Sequence, residues 1–274
     1  MPARIITLTT DFGTRDPYVA ELKGVILSRN PAVHIVDVSH DINAQDVREA
    51  ALCVAAVFRH FPAGTIHVVV VDPGVGSSRR LLCVTMHEQL FLGPDNGVLT
   101  WAARGAANIT RIVLTDPRFW RENPSATFHG RDILAPVAAQ LSLGLAPVEL
   151  GSPTREWVEL DWPCPERRGT HLCGEVLAID RFGNLITNIE SSEFALALRP
   201  TAQVICREAM VRGISRTYAD VGQGELAALF GSSNLLEIAV RDGNAAAQIG
   251  ANIGCAVMLQ FEHIGNSTVR ESAL

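Results

Sequence analysis

A few polar side chains carry the chemistry available to this sequence. Asp11 stands in TTDFGTRDPY, Asp37 in VDVSHDI, Asp72 in VVVVDPGVGSSRR and His129 in TFHGRD. Pro73, Gly74 and Gly76 force a tight turn with exposed backbone directly after Asp72, and Arg79 and Arg80 follow within reach of the same loop. A guanidinium stays charged and presents donors in fixed directions, so it can stabilise a water on its way to hydroxide, while an imidazole beside it can accept or relay a proton. Each residue alone has a plainer reading. An aspartate at a strand end is a turn former or a helix cap, a histidine next to glycine is a turn residue, and an arginine is a solvated charge. Three aspartates at successive strand ends, accompanied by FHGRD, favour a crevice. Which of Arg79 and Arg80 faces that crevice stays open.

The second half of the chain holds two further clusters. AIDRFGNLITNI places Asp180, Phe182, Asn184 and Asn188 around Gly183. A ring can stack on a heterocycle while an amide reads its edge, although a strand-turn-strand corner has the same composition. Ser232, Ser233 and Asn234, followed by Glu237, lead into LLEIAV and fit either a ligand loop or a hairpin turn. GPDNG, at 93–97, reads as a turn in which Asp95 or Asn96 caps a following helix.

The elements that must position these groups follow from periodicity. Apolar runs of strand length occupy 5–9, 34–38 and 66–71, and helical spacing marks 18–28 and 47–58. The order β-α-β-α-β predicts an α/β domain over 1–150, with a mostly parallel sheet and helices on both faces. Such sheets bind ligands beyond the carboxyl ends of their strands, where Asp11, Asp37 and Asp72 fall. Pro147, Gly151, Pro153, Pro163 and Pro165 interrupt regular structure, which predicts a linker over 151–170. Short runs at 176–179, 204–206, 236–240 and 256–261, separated by Gly, Asn and Asp, predict a smaller β-rich domain over 171–264, and 265–274 is a polar tail.

Composition excludes several partners. With 29 acidic against 23 basic residues and no basic run, the chain lacks a face for phosphate backbones, so no nucleic acid is expected. No apolar run has the length of a membrane span, and the beginning MPARIITLTT lacks the features of a signal peptide. The six cysteines are scattered without a CxxC pair, which predicts reduced core residues in a cytoplasmic protein and no zinc site.

TTDFGTRDPYVAELKG, DVSHDI, VVVVDPGVGSSRR, GPDNGVLT, TFHGRD, IDRFGNLITN and GSSNLLEIAV together resemble, in order, the S-adenosylmethionine hydrolase (adenosine-forming) family. These enzymes are also called S-adenosylmethionine (SAM) hydroxide adenosyltransferases and are relatives of the fluorinase and chlorinase. The similarity runs from about residue 4 to 262. It implies an α/β N-terminal domain joined to a C-terminal β-barrel. It also implies a homotrimer whose active sites lie between the N-terminal domain of one subunit and the C-terminal domain of the next. The hydrolases' Asp-Arg-His set falls on Asp72, Arg79 and His129. Asp11 matches the residue that holds the ribose hydroxyls, and Asp16 the one near the methionine amine. Asp180, Phe182 and Asn184 match the nucleoside-binding turn, and Ser233 the methionine carboxylate side, with Glu237 counted in the same cluster. Two positions depart from the pattern. Gln45 stands where members often place an aromatic against the ribose, and Asn234 replaces an arginine of some halogenating members.

The expected reaction is an in-line displacement at the ribose 5' carbon, without metal or cofactor, in which methionine leaves a sulfonium as a neutral thioether. Arg79 would stabilise a hydroxide-like water, His129 accept or relay its proton, and Asp72 orient the guanidinium or the water. Halogenation is the nearest competitor. A halide gains nothing from a proton acceptor, Gly130 replaces the serine of halogenating relatives, and 80–93 is only a short strand pair where those carry a long insertion. A metal-dependent hydrolase using Asp11, Asp72 and His129 lacks any HxH or HExxH spacing. A nucleoside-binding module without turnover would need Asp11 and Asn184 but not Arg79 and His129.

Overall fold

The computed structural model describes residues 4–194 and 202–260, so the tail at 265–274 and Phe261 lie outside the described residues. The chain divides into two compact units, Met1–Asp161 and Trp162–Leu274.

The first unit begins as β1 (Ile5–Thr10), α1 (Tyr18–Arg29), β2 (His34–Ser39), α2 (Val47–Val57) and β3 (Ile66–Val70). It continues through β4 (Leu81–Met86), β5 (Gln89–Pro94), β6 (Thr110–Leu114), α3 (Ala135–Ser142) and β7 (Gly151–Pro153). The strands form one sheet in the order β2-β1-β3-β5-β4-β6-β7. The expectation of a mostly parallel sheet is corrected. β2, β1, β3 and β5 run parallel, but β4 pairs antiparallel with both β5 and β6, and β6 pairs antiparallel with β7. The cause is local. β4 and β5 are joined through His87 and Glu88, whose φ angles of 51° and 59° make a tight hairpin turn, and a hairpin can only join antiparallel strands.

The helices lie on both faces, as the alternation along β3 requires. Val68 and Val70 share a core with Leu22 and Ile26 of α1 and Val137 and Leu141 of α3. Val69 and Val71 join Ala50 and Val54 of α2 on the other face. Asp46 caps α2 by accepting the Glu49 backbone N–H at 2.9 Å.

The second unit contains β8 (Glu166–Arg168), β9 (His171–Ile179), β10 (Leu185–Glu190), β11 (Gln203–Cys206), β12 (Ala209–Arg212), β13 (Leu226–Phe230), β14 (Leu235–Val240) and β15 (Ala256–Gln260). All its strand pairs are antiparallel, in the order β12-β11-β15-β9-β10-β14-β13 with β8 against β9. The sheet curls nearly into a barrel around Val176, Leu185, Val204, Leu236 and Val257, and a Ser215–Leu229 bridge joins the segment after β12 to β13. The predicted linker range thus includes an edge strand of each sheet. No described helix is long and apolar enough to cross a membrane. All six cysteines are free; Cys83 and Cys206 are buried as expected, whereas Cys164 is exposed rather than part of a core.

Candidate active site

β1 and β3 are neighbours in register, with Thr10 opposite Val70. Asp11 and Asp72 therefore leave the sheet at the same edge. After β3 the chain makes two successive turns, Val75 N–H to Asp72 C=O at 3.2 Å and Ser77 N–H to Gly74 C=O at 3.1 Å. The Ser77 hydroxyl donates to Gly74 C=O at 2.7 Å and accepts the Arg79 N–H at 3.2 Å, which turns Arg79 back toward Asp72. Gly76 has φ +79°, and a Cβ there would stand 2.6 Å from Ala126 C=O, so this loop is pressed against the segment leading to His129.

That segment is fixed in turn by Gly130, where an added Cβ would meet Val70 Cγ1 at 2.8 Å. Gly130–Leu134 forms a π-helical turn, closed by Ala135 N–H donating to Gly130 C=O, before α3 begins. Such turns place one extra residue in a helix and recur at functional sites. Here the turn starts directly after His129.

Together these loops bring three predicted residues into contact. Arg79 Nε donates to Asp72 Oδ1 and Oδ2 at 3.0 and 2.9 Å, and Nη2 donates to Oδ2 at 2.5 Å. The same Nη2 donates to His129 Nδ1 at 2.7 Å. The arginine and aspartate side chains are only 11% and 8% exposed, so the pair is strongly coupled. A guanidinium has no lone pair to offer, so Nδ1 is the acceptor and the neutral ring carries its proton on Nε2. Burial and then the Arg79 charge hold the His129 pKa below the usual imidazole value.

Arg80 points elsewhere. Its Nε donates to Asp95 Oδ2 at 2.7 Å and its Nη2 to Glu156 C=O at 3.0 Å, while Asp95 Oδ1 accepts the Val158 N–H at 2.8 Å. Asp95 thereby pins 156–158 to the sheet. The expected helix after GPDNG is absent among the described residues, because Thr100, Ala103 and Ala106 close successive turns onto Gly97, Thr100 and Ala103 instead. Asn96 supports that chain by donating to Val71 C=O at 3.0 Å.

Asp11 accepts the Gln45 N–H at 2.8 Å, with Gln45 in the left-handed region at φ 68°. Asp16 is exposed on the loop before α1. The rings of Phe12, Tyr18 and Phe128 meet edge to face at 5.5–5.6 Å, linking the Asp11 loop to the residue before His129. Arg131 lies over Phe128 at 4.9 Å and donates to Glu21 and to buried Asp132. Sequence reading left these rings and this ion-pair network out, since an aromatic or a surface charge carries no local sign of its partner.

In the second unit Asp180 is occupied by its own turn. Its Oδ1 accepts the Phe182 and Asn184 N–H groups and its Oδ2 accepts Asn184 Nδ2, each at 2.9 Å. The turn buries Asn184 and leaves the Phe182 ring 73% exposed. Ser233 is exposed in the turn that Asn234 N–H closes onto Gly231 C=O, with Asn234 at φ 61°, a conformation asparagine tolerates well. Glu237 is buried on β14, where its Oε2 accepts the Tyr218 hydroxyl at 2.8 Å and Oε1 lies under the Gly231 backbone. Burial and this carboxylate push the Tyr218 pKa up to about 12. β10 and β14 pair with Leu185 opposite Ile238 and Glu190 opposite Leu235, so the Phe182 and Ser233 turns occupy opposite ends of β10. Among the described residues, no three His, Cys, Asp or Glu side chains are placed to hold a metal ion.

The chain is thus a two-unit protein, an α/β unit with a carboxylate-guanidinium-imidazole chain at its strand ends followed by a curled antiparallel unit. Residues 6–151 match the SAM hydroxide adenosyltransferase N-terminal domain and residues 174–258 its C-terminal domain, and the chain belongs to this family. It is similar to the (R)-S-adenosyl-L-methionine hydrolase of Salinispora tropica, 37% identical over 92% of this chain and 96% of that one. A fluorinase of an Actinoplanes species is 30% identical over 72% of this chain and 76% of its own. The solved structure of an uncharacterized conserved protein from Thermotoga maritima superposes with a TM-score of 0.87 at 34% identity, covering 93% of this chain and 99% of that one.

Proposed function

We propose that this protein hydrolyses S-adenosyl-L-methionine to adenosine and L-methionine, with Asp72, Arg79 and His129 as the catalytic set. Family membership and the hydrolase relative support the reaction. The observation that carries the site is the single guanidinium nitrogen shared by Asp72 Oδ2 and His129 Nδ1.

The carboxylate locks the guanidinium plane, and a fixed charge needs little reorganisation as hydroxide forms beside it. A water bound there loses its proton to solvent. The hydroxide oxygen forms a bond to the ribose C5', the C5'–S bond breaks, and its electron pair leaves on sulfur as the neutral thioether of methionine. The leaving group therefore needs no acid. With Nδ1 engaged by Arg79, His129 acts through its Nε2–H as a donor that holds the hydroxide, in place of the proton acceptor expected from sequence. Asp11 holds the ribose hydroxyls, Asp16 lies near the methionine amine, the Phe182 ring stacks on adenine, Asn184 reads its edge, and Ser233 receives the methionine carboxylate. Asp180 and Glu237 act by shaping the two turns.

Gly130 favours hydrolysis over halogenation, because the serine of halogenating relatives would bring its Cβ into Val70. A homotrimer is proposed on the family resemblance, and a cytoplasmic location is supported by the free cysteines. Incubation of the purified protein with S-adenosyl-L-methionine in heavy-oxygen water tests the reaction. Adenosine labelled at the 5' hydroxyl, plus methionine, is expected; unlabelled adenosine or no turnover overturns the proposal.

A further inference from the structure

The segment DVSHDI supplies none of the residues assigned to catalysis or substrate binding, yet its histidine is tied to the loop that carries Asp11. His40 is 6% exposed and sits beside the end of β1. Its Nδ1 is 2.9 Å from Thr10 Oγ1, and its backbone carbonyl accepts the Gly13 N–H at 2.7 Å. Thr10 Oγ1 accepts the Phe12 N–H at 3.3 Å. One residue thus fixes the chain on both sides of Asp11. A hydroxyl that accepts from Phe12 is free to donate its own hydrogen to Nδ1, which puts the ring proton on Nε2. There, Nε2 stands 3.0 Å from Asp37 Oδ1, a close polar contact off the hydrogen-bonding direction. Asp37 Oδ2 accepts from Lys23 Nζ at 2.6 Å on α1. The chain Lys23–Asp37–His40–Thr10 therefore ties α1 and β2 to the turn that presents Asp11. Thr10 is completely buried, so this Asp-His-Thr series has no route to a substrate and is not a nucleophile.

We infer that His40, through Thr10, is a positioning residue that aims the Asp11 carboxylate at the substrate's ribose hydroxyls. The inference rests on the proposed role of Asp11. A carboxylate discriminates a vicinal diol only while both its oxygens are held in place, since a hydrogen bond weakens steeply with angle. The His40 carbonyl that holds Gly13 and the Gln45 N–H that holds Asp11 Oδ2 are backbone groups, so loss of the His40 ring frees the Thr10 flank of the loop and leaves the other flank pinned.

The test compares adenosine with 2'-deoxyadenosine as ligands of the intact protein by calorimetry. Wild type is expected to prefer adenosine by about tenfold, the share of one hydrogen bond to a charged group. His40→Ala and the isosteric Thr10→Val should each shrink that preference to within about twofold. Thr10→Val preserves volume at the buried site, so it answers the question if His40→Ala fails to fold. A merely structural role would weaken both ligands in parallel and keep the ratio. Asp11→Asn is measured alongside. If it abolishes the preference while Thr10→Val leaves the preference at the wild-type ratio, the His40 inference is wrong and the ribose role of Asp11 stands. If Asp11→Asn itself keeps the ratio, the ribose role fails and the inference falls with it.

Discussion

At the residue scale, the consequential assignment is the direction of one hydrogen bond. Arg79 donates to His129 Nδ1. A histidine acting as a donor can be imitated by an amide, whereas one acting as a base cannot. His129→Gln should retain at least about a tenth of wild-type kcat while His129→Ala loses about a hundredfold or more, the scale of a lost preorganised donor. Equal loss in both variants would restore the proton-acceptor role. The pH profile gives a second check. The His129 pKa is lowered by burial and by Arg79, so the neutral, bond-accepting ring persists below the ordinary imidazole value. In that profile the loss due to His129 should set in only at pH below about 6.5, as protonation of Nδ1 expels the Arg79 N–H. Arg79→Lys keeps the charge but cannot reach Asp72 and His129 with one planar fork, and a kcat loss of at least about a hundredfold is expected. The neighbouring arginines were indistinguishable in sequence. Arg79 and Arg80 differ by which aspartate the fold brings opposite them, and Asp72 and Asp95 become neighbours of the pair only through the β3 turn and the β4–β5 hairpin.

At the element scale, Gly130 and Val70 form a contact with no room for a methyl group. Gly130→Ser should destabilise the protein by about 1–3 kcal/mol, the usual range for overpacking, and Val70→Ala should recover part of that loss in a denaturant titration. β3 also holds a buried titratable group. His67 lies between Thr7 Oγ1 and Gln89 Oε1, and burial lowers its pKa to about 4. Its folded-state pKa is below the unfolded value of about 6.5, so the unfolded chain binds the extra proton between those limits. Stability from this group is complete above about pH 6.5 and falls by about 3 kcal/mol as pH drops to about 4. His67→Gln should lack that component of the pH dependence in parallel melts. The five leading elements were legible because each has an unbroken period: β1 to β3 and the two intervening helices lie within a residue of their predicted limits. The antiparallel half was legible only as the short strand pair at 80–93, without its place in the sheet. A turn at His87 and Glu88 carries no glycine or asparagine to announce its positive φ angles. The residues at the Phe182 turn were also visible, but Asp180's commitment to three local donors was hidden, because a ligand carboxylate and a turn-forming one share the same motif.

At the scale of the whole molecule, the proposed homotrimer predicts a solution mass three times the 29.5 kDa of the chain, which light scattering on a sizing column measures directly. A monomeric mass at enzyme-assay concentration would remove that proposal. The placement of the two ligand turns at opposite ends of β10 has a kinetic consequence. Five residue steps at about 3.4 Å separate them by about 17 Å, so under the proposed roles of Phe182 and Ser233 the nucleoside and the amino acid would be gripped by different corners of the same strand. Once the bond between the two halves is cut, neither product has to vacate a place the other needs. Adenosine and methionine should then inhibit as a compatible pair, with saturating methionine leaving the affinity for adenosine unchanged within about twofold, and the order of their departure set by how fast each corner opens.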